Sequence, residues 1–256
     1  MPLLELRDVS VVFGGLAAVD HVSFQAEEGL VTGLIGPNGA GKTTLIDAIT
    51  GFVPIASGGI LFDGDRIDGV TPHRRVLRGL SRTFQSLELF EDLTVRDNLQ
   101  VAAERPRWWS PFADAFLPSR RESESLAWAL EAVGLEPFDD RLPSELSHGR
   151  RRRLGIARAL VAKPRLILLD EPAAGLDTTE SRLLGEQLRK LPALGITVLL
   201  VDHDMSLVLS VCDTIAVLDF GKVIASGTPT DIRNDERVIK AYLGEDTAVA
   251  VAEPGA

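Results

Sequence analysis

Cysteine is almost missing from this chain: Cys212 is the single one in 256 residues. That excludes an internal disulfide and suits a reducing compartment. Long apolar runs are missing too. The longest candidate, Ile196 to Val201, ends at Asp202-His203-Asp204, far short of a membrane span. Met1-Pro2-Leu3-Leu4-Glu5 carries no basic region followed by an apolar run, so no signal peptide is expected. Positive charge is scarce: 27 Lys and Arg stand against 37 Asp and Glu, a net charge of −10. A general nucleic-acid binder carries a basic surface, so nucleic acid is not an expected partner. Four histidines and one cysteine show no metal-ligand spacing. What is present in quantity is hydrophobic residue, 45%, enough for a sizeable core. The expectation is one large cytosolic α/β domain, or one with an inserted lobe, whose membrane role, if any, comes through partners.

The organising stretch is Gly36-Pro37-Asn38-Gly39-Ala40-Gly41-Lys42-Thr43-Thr44. It fits G-x-x-x-x-G-K-[ST], the phosphate-cradling loop. Val31 to Ile35 before it reads as a buried strand, and Leu45 to Ile49 after it as a helix that can stop at Gly51. The glycines let backbone N–H groups turn inward, and the helix N-terminus adds partial positive charge. Lys42 is placed to reach the β- and γ-phosphates, and the Thr43 hydroxyl to bind Mg²⁺.

Around this loop the chain divides. Leu4 to Phe24 reads as two strands joined through Phe13-Gly14-Gly15, and Gly59 to Asp65 as a hairpin with an Asp-Gly turn. Thr71-Pro72 opens a short helix, and Leu80 to Gln85 is a short strand. Residues from about 87 read as an inserted helical lobe, placed at about 87–160, with helices from Thr94 to Ala103 and Glu122 to Val133. Trp108 and Trp109 could form a partner patch, but packing within the lobe is the expectation. Ser147 precedes another helix, with Leu154, Ala157, Leu160 and Val161 facing one way. Leu166 to Leu169 and Ile196 to Val201 are unbroken apolar runs, the mark of strands buried on both faces. Thr179 to Leu191 reads as a helix, Thr214 to Ser226 as a hairpin, and Thr230 to Leu243 as a C-terminal helix. The nucleotide-binding unit is placed at 1–244, and the Ala/Gly/Glu-rich tail 245–256 is expected to be disordered.

In an open parallel sheet, ligands bind at the carboxyl ends of strands. The phosphate loop, Gln85, Asp170-Glu171 and His203 all follow strand-like runs, so they can converge on one crevice. Asp170 suits a Mg²⁺ contact, Glu171 can act as general base on water, and His203 can sense a γ-phosphate.

The order of these features resembles the ATP-binding subunit of ABC transporters from about Leu4 to Gly244. The resemblance implies a phosphate-loop NTPase core with an N-terminal antiparallel β-subdomain and an inserted α-helical subdomain. It implies that Phe13 stacks on adenine and that Gly36 to Thr44 hold the phosphates. Gln85 would contact Mg²⁺ or water. Ser147 and Gly149 belong to the signature motif, and Ala173 to Asp177 form the D-loop. That motif is usually Ser-Gly-Gly-Gln; here His148 and Arg150 depart from it. Arg150 is expected near the partner's phosphates or an acidic residue across the interface, and His148 to point away from nucleotide. The resemblance further implies a second ATPase subunit, two membrane permeases, a solute-binding protein and a place on the cytoplasmic face of the membrane.

Phe13-Gly14-Gly15-Leu16, Arg82-Thr83-Phe84-Gln85 and Lys240 to Glu245 look most like branched-chain amino-acid importers. The lipopolysaccharide-transport ATPase is similar in layout but usually carries Leu-Pro-Gln at the glutamine loop. A soluble ABC ATPase of DNA repair or translation usually has a coiled-coil insertion or tandem nucleotide domains, and neither is here. A kinase built on the same loop leaves the signature stretch and His203 unexplained. The run Arg150 to Arg153 is expected to be a solvated or partner-facing stripe.

Overall fold

The computed structural model describes residues 1–84, 86–103 and 120–242. Three short apolar runs set the architecture: β3 (Val31–Ile35), β7 (Leu166–Asp170) and β8 (Thr197–Val201), each buried at every position. Strands without a polar face must be covered on both sides, which favours a parallel sheet with layers above and below. β6 (Leu80–Arg82), β9 (Thr214–Asp219) and β10 (Lys222–Gly227) complete it, in the order β10-β9-β3-β8-β7-β6. All pairings are parallel except the β9-β10 hairpin.

Strand alternation divides the core. Ile167, Leu169, Val198 and Leu200 face one cluster, which they share with Leu99, Leu126, Leu130 and Leu154 of the helical lobe. Leu166, Leu168, Leu199 and Val201 face the other, shared with Leu45, Ile46 and Ile49. Those last three lie on α1 (Lys42–Thr50), which Gly51 ends in the left-handed conformation (φ 85°). The second cluster is closed by an antiparallel sheet of β1 (Pro2–Phe13), β2 (Leu16–Glu27), β4 (Ser57–Phe62) and β5 (Asp65–Arg66), in the order β2-β1-β4-β5.

The lobe contains α3 (Val95–Ala103), α4 (Arg120–Val133) and α5 (His148–Leu160). Asn98, fully buried, ties it to the preceding loop: its amide donates to Phe90 O, Leu93 O and Thr94 O and accepts from Phe90 N–H. Among the described residues no helix is long and apolar enough to cross a membrane.

Several local expectations are corrected. α2 (Pro72–Leu77) starts after Thr71 as read, but the Thr71 hydroxyl makes no capping bond. β6 stops at Arg82, with one further bond from Thr83 N–H to Leu168 O. α6 (Thr178–Leu188) ends before Leu191, and Pro192 to Leu194 form a tight turn closed by Gly195. α7 (Met205–Val211) has no counterpart in the sequence reading; Asp204 caps it by accepting from Ser206 and Leu207 N–H. The single C-terminal helix is broken: α8 (Pro229–Asn234) stops, Asp235 is extended (ψ 117°), and helix resumes at 236–242. The reason is a competing cap, since Asp235 Oδ1 accepts from Arg237 N–H at 2.8 Å. Trp108, Trp109 and the tail 245–256 lie outside the described residues.

Candidate nucleotide site

Parallel strands put their carboxyl ends on one edge. β3 runs into the phosphate loop there, β7 ends at Asp170, and β8 ends at Val201, directly opposite Asp170. Glu171 N–H then bonds Val201 O at 2.7 Å, so the segments carrying Asp170-Glu171 and Asp202-His203 leave the sheet side by side.

The loop itself is packed tightly against two neighbours. A Cβ at Gly36 would lie 2.0 Å from Leu218 O, and one at Gly41 2.4 Å from Ala18 O. Gly36 (φ 153°) and Gly41 (φ 100°) also hold conformations costly for other residues, so the curl needs glycine at both points. Pro37, Asn38, Gly39 and Ala40 form the curl between them, with Ala40 N–H donating to Pro37 O and Gly221 N–H to Ala40 O. Lys42 is buried, and its Nζ donates to Gly36 O at 2.6 Å and Pro37 O at 2.9 Å, which sets an ammonium inside the curl. Thr43 and Thr44 follow in the first turn of α1, Thr43 exposed, and that turn holds no acidic residue. A glycine cradle with an ammonium and a free helix N-terminus fits a polyphosphate.

Asp170 is held by Arg82, whose Nη2 donates to its Oδ2 at 2.9 Å. The Asp170 side chain is 11% exposed and that of Arg82 8%. Glu171 has φ 47°, rare for a residue with a β-carbon, as befits a side chain aimed from a strand exit. His203 is exposed, with Nδ1 3.9 Å from Glu171 Oε1 and 3.7 Å from Asp202 Oδ1. Asp202 is fully buried and joins both exit loops: Oδ2 accepts from Ala173 N–H and Oδ1 from Asp204 N–H, each at 3.0 Å. Among the described residues no group of three His, Cys, Asp or Glu could cage a metal.

Ser147 caps α5, its Oγ accepting from Arg150 N–H. The Ser147 hydroxyl also donates to Glu180 Oε1 at 2.9 Å, and Gly149 N–H donates to the same oxygen at 3.1 Å. These are the two donors expected for a phosphate, and here they hold a carboxylate. His148 Nε2 lies 3.4 Å from Ala174 O, turned toward the Ala173 to Asp177 loop.

Each residue of the arginine run is part-buried and makes a contact on its own chain. Arg150 stacks over Phe138 with its guanidinium carbon 4.2 Å from the ring centre. Arg151 pairs with Glu91, Arg152 donates to Ala174 O, and Arg153 to Val133 O. All four stand on one helix packed between lobe and sheet, and each turns back onto its own chain. To reach a partner across an interface, the Arg150 guanidinium would have to leave the Phe138 ring.

Phe13 pairs with Leu16 at the end of the β1-β2 hairpin and is 50% exposed, an open aromatic face. Gln85 lies outside the described residues. Its neighbours Phe84 and Ser86 line a cavity of about 290 Å³ together with Arg82, Arg158 and Asp170. Sequence reasoning missed Arg82, Asp202 and Glu180. Asp202 alone had a usable local signal, a charge directly at the end of an apolar run.

Comparison with known proteins follows the same outline. The family model described as "ABC transporter" matches residues 19–174. A second, "Branched-chain amino acid ATP-binding cassette transporter", matches residues 222–248. The high-affinity branched-chain amino acid transport ATP-binding protein BraF of Pseudomonas aeruginosa is 43% identical over 95% of this chain and 98% of its own length. LivG of Escherichia coli, of the same description, is 40% identical over 95% and 98%. The lipopolysaccharide export system ATP-binding protein LptB of Escherichia coli is 37% identical over 96% and 99%. Among solved structures, a nucleotide-free ATP-binding cassette from an ABC transporter aligns with TM-score 0.83 at 32% identity, over 94% of this chain and 99% of that one. The ADP conformation of another such cassette aligns with TM-score 0.85 at 31% identity, over 95% and 99%. With the glycine cradle, the paired strand exits and these relatives agreeing, the chain belongs to the ABC transporter family, as one of its ATP-hydrolysing cassettes.

Proposed function

We propose that this chain is the ATPase subunit of a membrane importer for branched-chain amino acids or related small solutes. One observation carries the catalytic part. The parallel pairing of β3, β8 and β7 brings the phosphate loop, Asp170-Glu171 and His203 to a single sheet edge. Backbone N–H groups of the glycine loop, such as those of Gly39 and Gly41, and the Lys42 ammonium bind the phosphates, and Phe13 takes the adenine face. Thr43, Asp170 and Gln85 hold Mg²⁺, which when bound draws negative charge from the phosphates. Glu171 orients a water and accepts its proton. His203, beside Glu171, donates toward the γ-phosphate and reports its loss.

Ser147 and Gly149 stand on a different helix from the phosphate loop. Their donors serve the nucleotide of a second subunit, arranged head to tail. Within the 1–244 unit, the lobe at about 87–160 and the glutamine loop contact two permeases. The subunit then works at the cytoplasmic face of the membrane without entering it, and a solute-binding protein supplies the cargo. The C-terminal match to the branched-chain model and the Arg82-Thr83-Phe84 stretch favour import over lipopolysaccharide export.

The test is co-purification of the full chain from membranes, with identification of the bound permeases and of the solutes that stimulate ATP turnover. Stimulation by branched-chain amino acids with their binding protein is expected. Association with a lipopolysaccharide-export permease instead would overturn the transport assignment.

A further inference from the structure

We propose that Glu180 is a resident anion at the phosphate-accepting end of α5, and that it must be displaced before two subunits can close on ATP. This rests on the head-to-tail reading above and adds to it a gate within the single chain.

The geometry is that of an anion site already filled. Ser147 has one hydroxyl hydrogen and Gly149 one N–H, and both go to the same Glu180 oxygen, at 2.9 and 3.1 Å. The first turn of α5 has no acidic residue of its own. A helix N-terminus favours a negative charge, and Glu180 supplies it from α6. Gly149 makes room for it: a Cβ there would sit 2.8 Å from Glu180 Cδ.

The carboxylate is delivered from a fixed base. Glu180 stands in the first turn of α6, and its own N–H donates to the Asp177 capping carboxylate at 2.8 Å. Asp177 ends the loop that His148 and Arg152 also contact, through Ala174 O. The contact therefore joins the signature stretch to the loop after Glu171.

Two anions cannot share these donors. An arriving γ-phosphate finds both hydrogens taken and a like charge in place. Glu180 must swing to solvent, which a side-chain rotation allows because the residue is only half-buried. Losing a charge-assisted pair of bonds in each subunit raises the ATP concentration needed for closure. The gate sets a nucleotide threshold for pairing.

The experiment uses the full chain in a Glu171→Gln background, in which bound ATP is expected to persist. ATP-dependent dimerisation is followed by sedimentation for the parent, Glu180→Ala and Glu180→Gln. Glu180→Ala should dimerise at an ATP concentration at least about tenfold lower than the parent, the factor that a single charge-assisted hydrogen bond is worth. Glu180→Gln keeps the shape and removes only the charge, and it decides the matter if the alanine variant does not fold. An ATP requirement equal to or above that of the parent overturns the gate. If the parent dimerises and the variants match it, the gate alone fails. If none dimerises, the head-to-tail reading falls with it.

Discussion

Arg82 Nη2 donates to Asp170 Oδ2 at 2.9 Å, while its Nη1 lies 2.5 Å from Asp47 Oδ1 on α1. One guanidinium thus clamps the end of β7 to the helix that follows the phosphate loop. It also lies 5.0 Å from the ring centre of Phe84, the residue just before Gln85. The strand that feeds the glutamine loop is therefore mechanically joined to the carboxylate assigned to Mg²⁺.

Replacing Arg82 should destabilise the chain without nucleotide. Arg82→Met leaves two carboxylates without the cation they share, Asp170 at 11% exposure and Asp47 at 28%. Removing one partner of a buried pair costs about 3–5 kcal/mol, and the partial exposure of Asp47 favours the lower end. The thermal midpoint should fall by roughly 6–12 °C. Arg82→Lys should recover part of this, since an ammonium cannot span both carboxylates. An unchanged midpoint in Arg82→Met would show that the clamp contributes nothing.

Phe13→Ala should weaken ATP binding by roughly 1–3 kcal/mol, the range for base–aromatic stacking. GTP should lose as much, because stacking reads a ring face and not base edges. Calorimetry with both nucleotides is the check. Equal affinity in mutant and parent would make Phe13 a surface residue of the hairpin.

Much of this arrangement is legible in the sequence, and the part that is not has a common cause. The phosphate loop, the apolar strand runs and the Ser147 cap are local patterns, each readable within about ten residues. Arg82 with Asp170 and Ser147 with Glu180 join residues 88 and 33 positions apart, and no spacing rule announces them. The same holds for Arg150 to Arg153: their charge suggests free solvation, yet Glu91, Ala174 O, Val133 O and the Phe138 ring engage them along the surface of their own chain. The break at Asp235 escaped because a capping side chain inside a helical pattern reads as a surface residue.

Arg150→Gln should lower stability by about 0.5–1 kcal/mol, the worth of one exposed cation–π contact with Phe138. Denaturant titration measures it. The salt dependence of ATP-driven dimerisation should not change. A changed salt slope would mean that Arg150 leaves Phe138 for the interface.

Cys212 should resist alkylation in the native chain. Burial pushes its thiol up to about 12, with Asp213 adding to the shift, so thiolate is scarce near neutral pH. Labelling should appear only on unfolding or at strongly alkaline pH. Rapid labelling of the folded chain at neutral pH would contradict that packing.

The central claim is that Glu171, held at the exit of β7, is the base for ATP hydrolysis. The direct measurement pairs ATP affinity with turnover in Glu171→Gln, alongside Lys42→Ala. The amide keeps the shape of the side chain but cannot take a proton from water. Glu171→Gln should bind ATP like the parent and lose about 10²–10⁴-fold in turnover, whereas Lys42→Ala should lose binding itself. Turnover of Glu171→Gln within a few-fold of the parent would contradict the account.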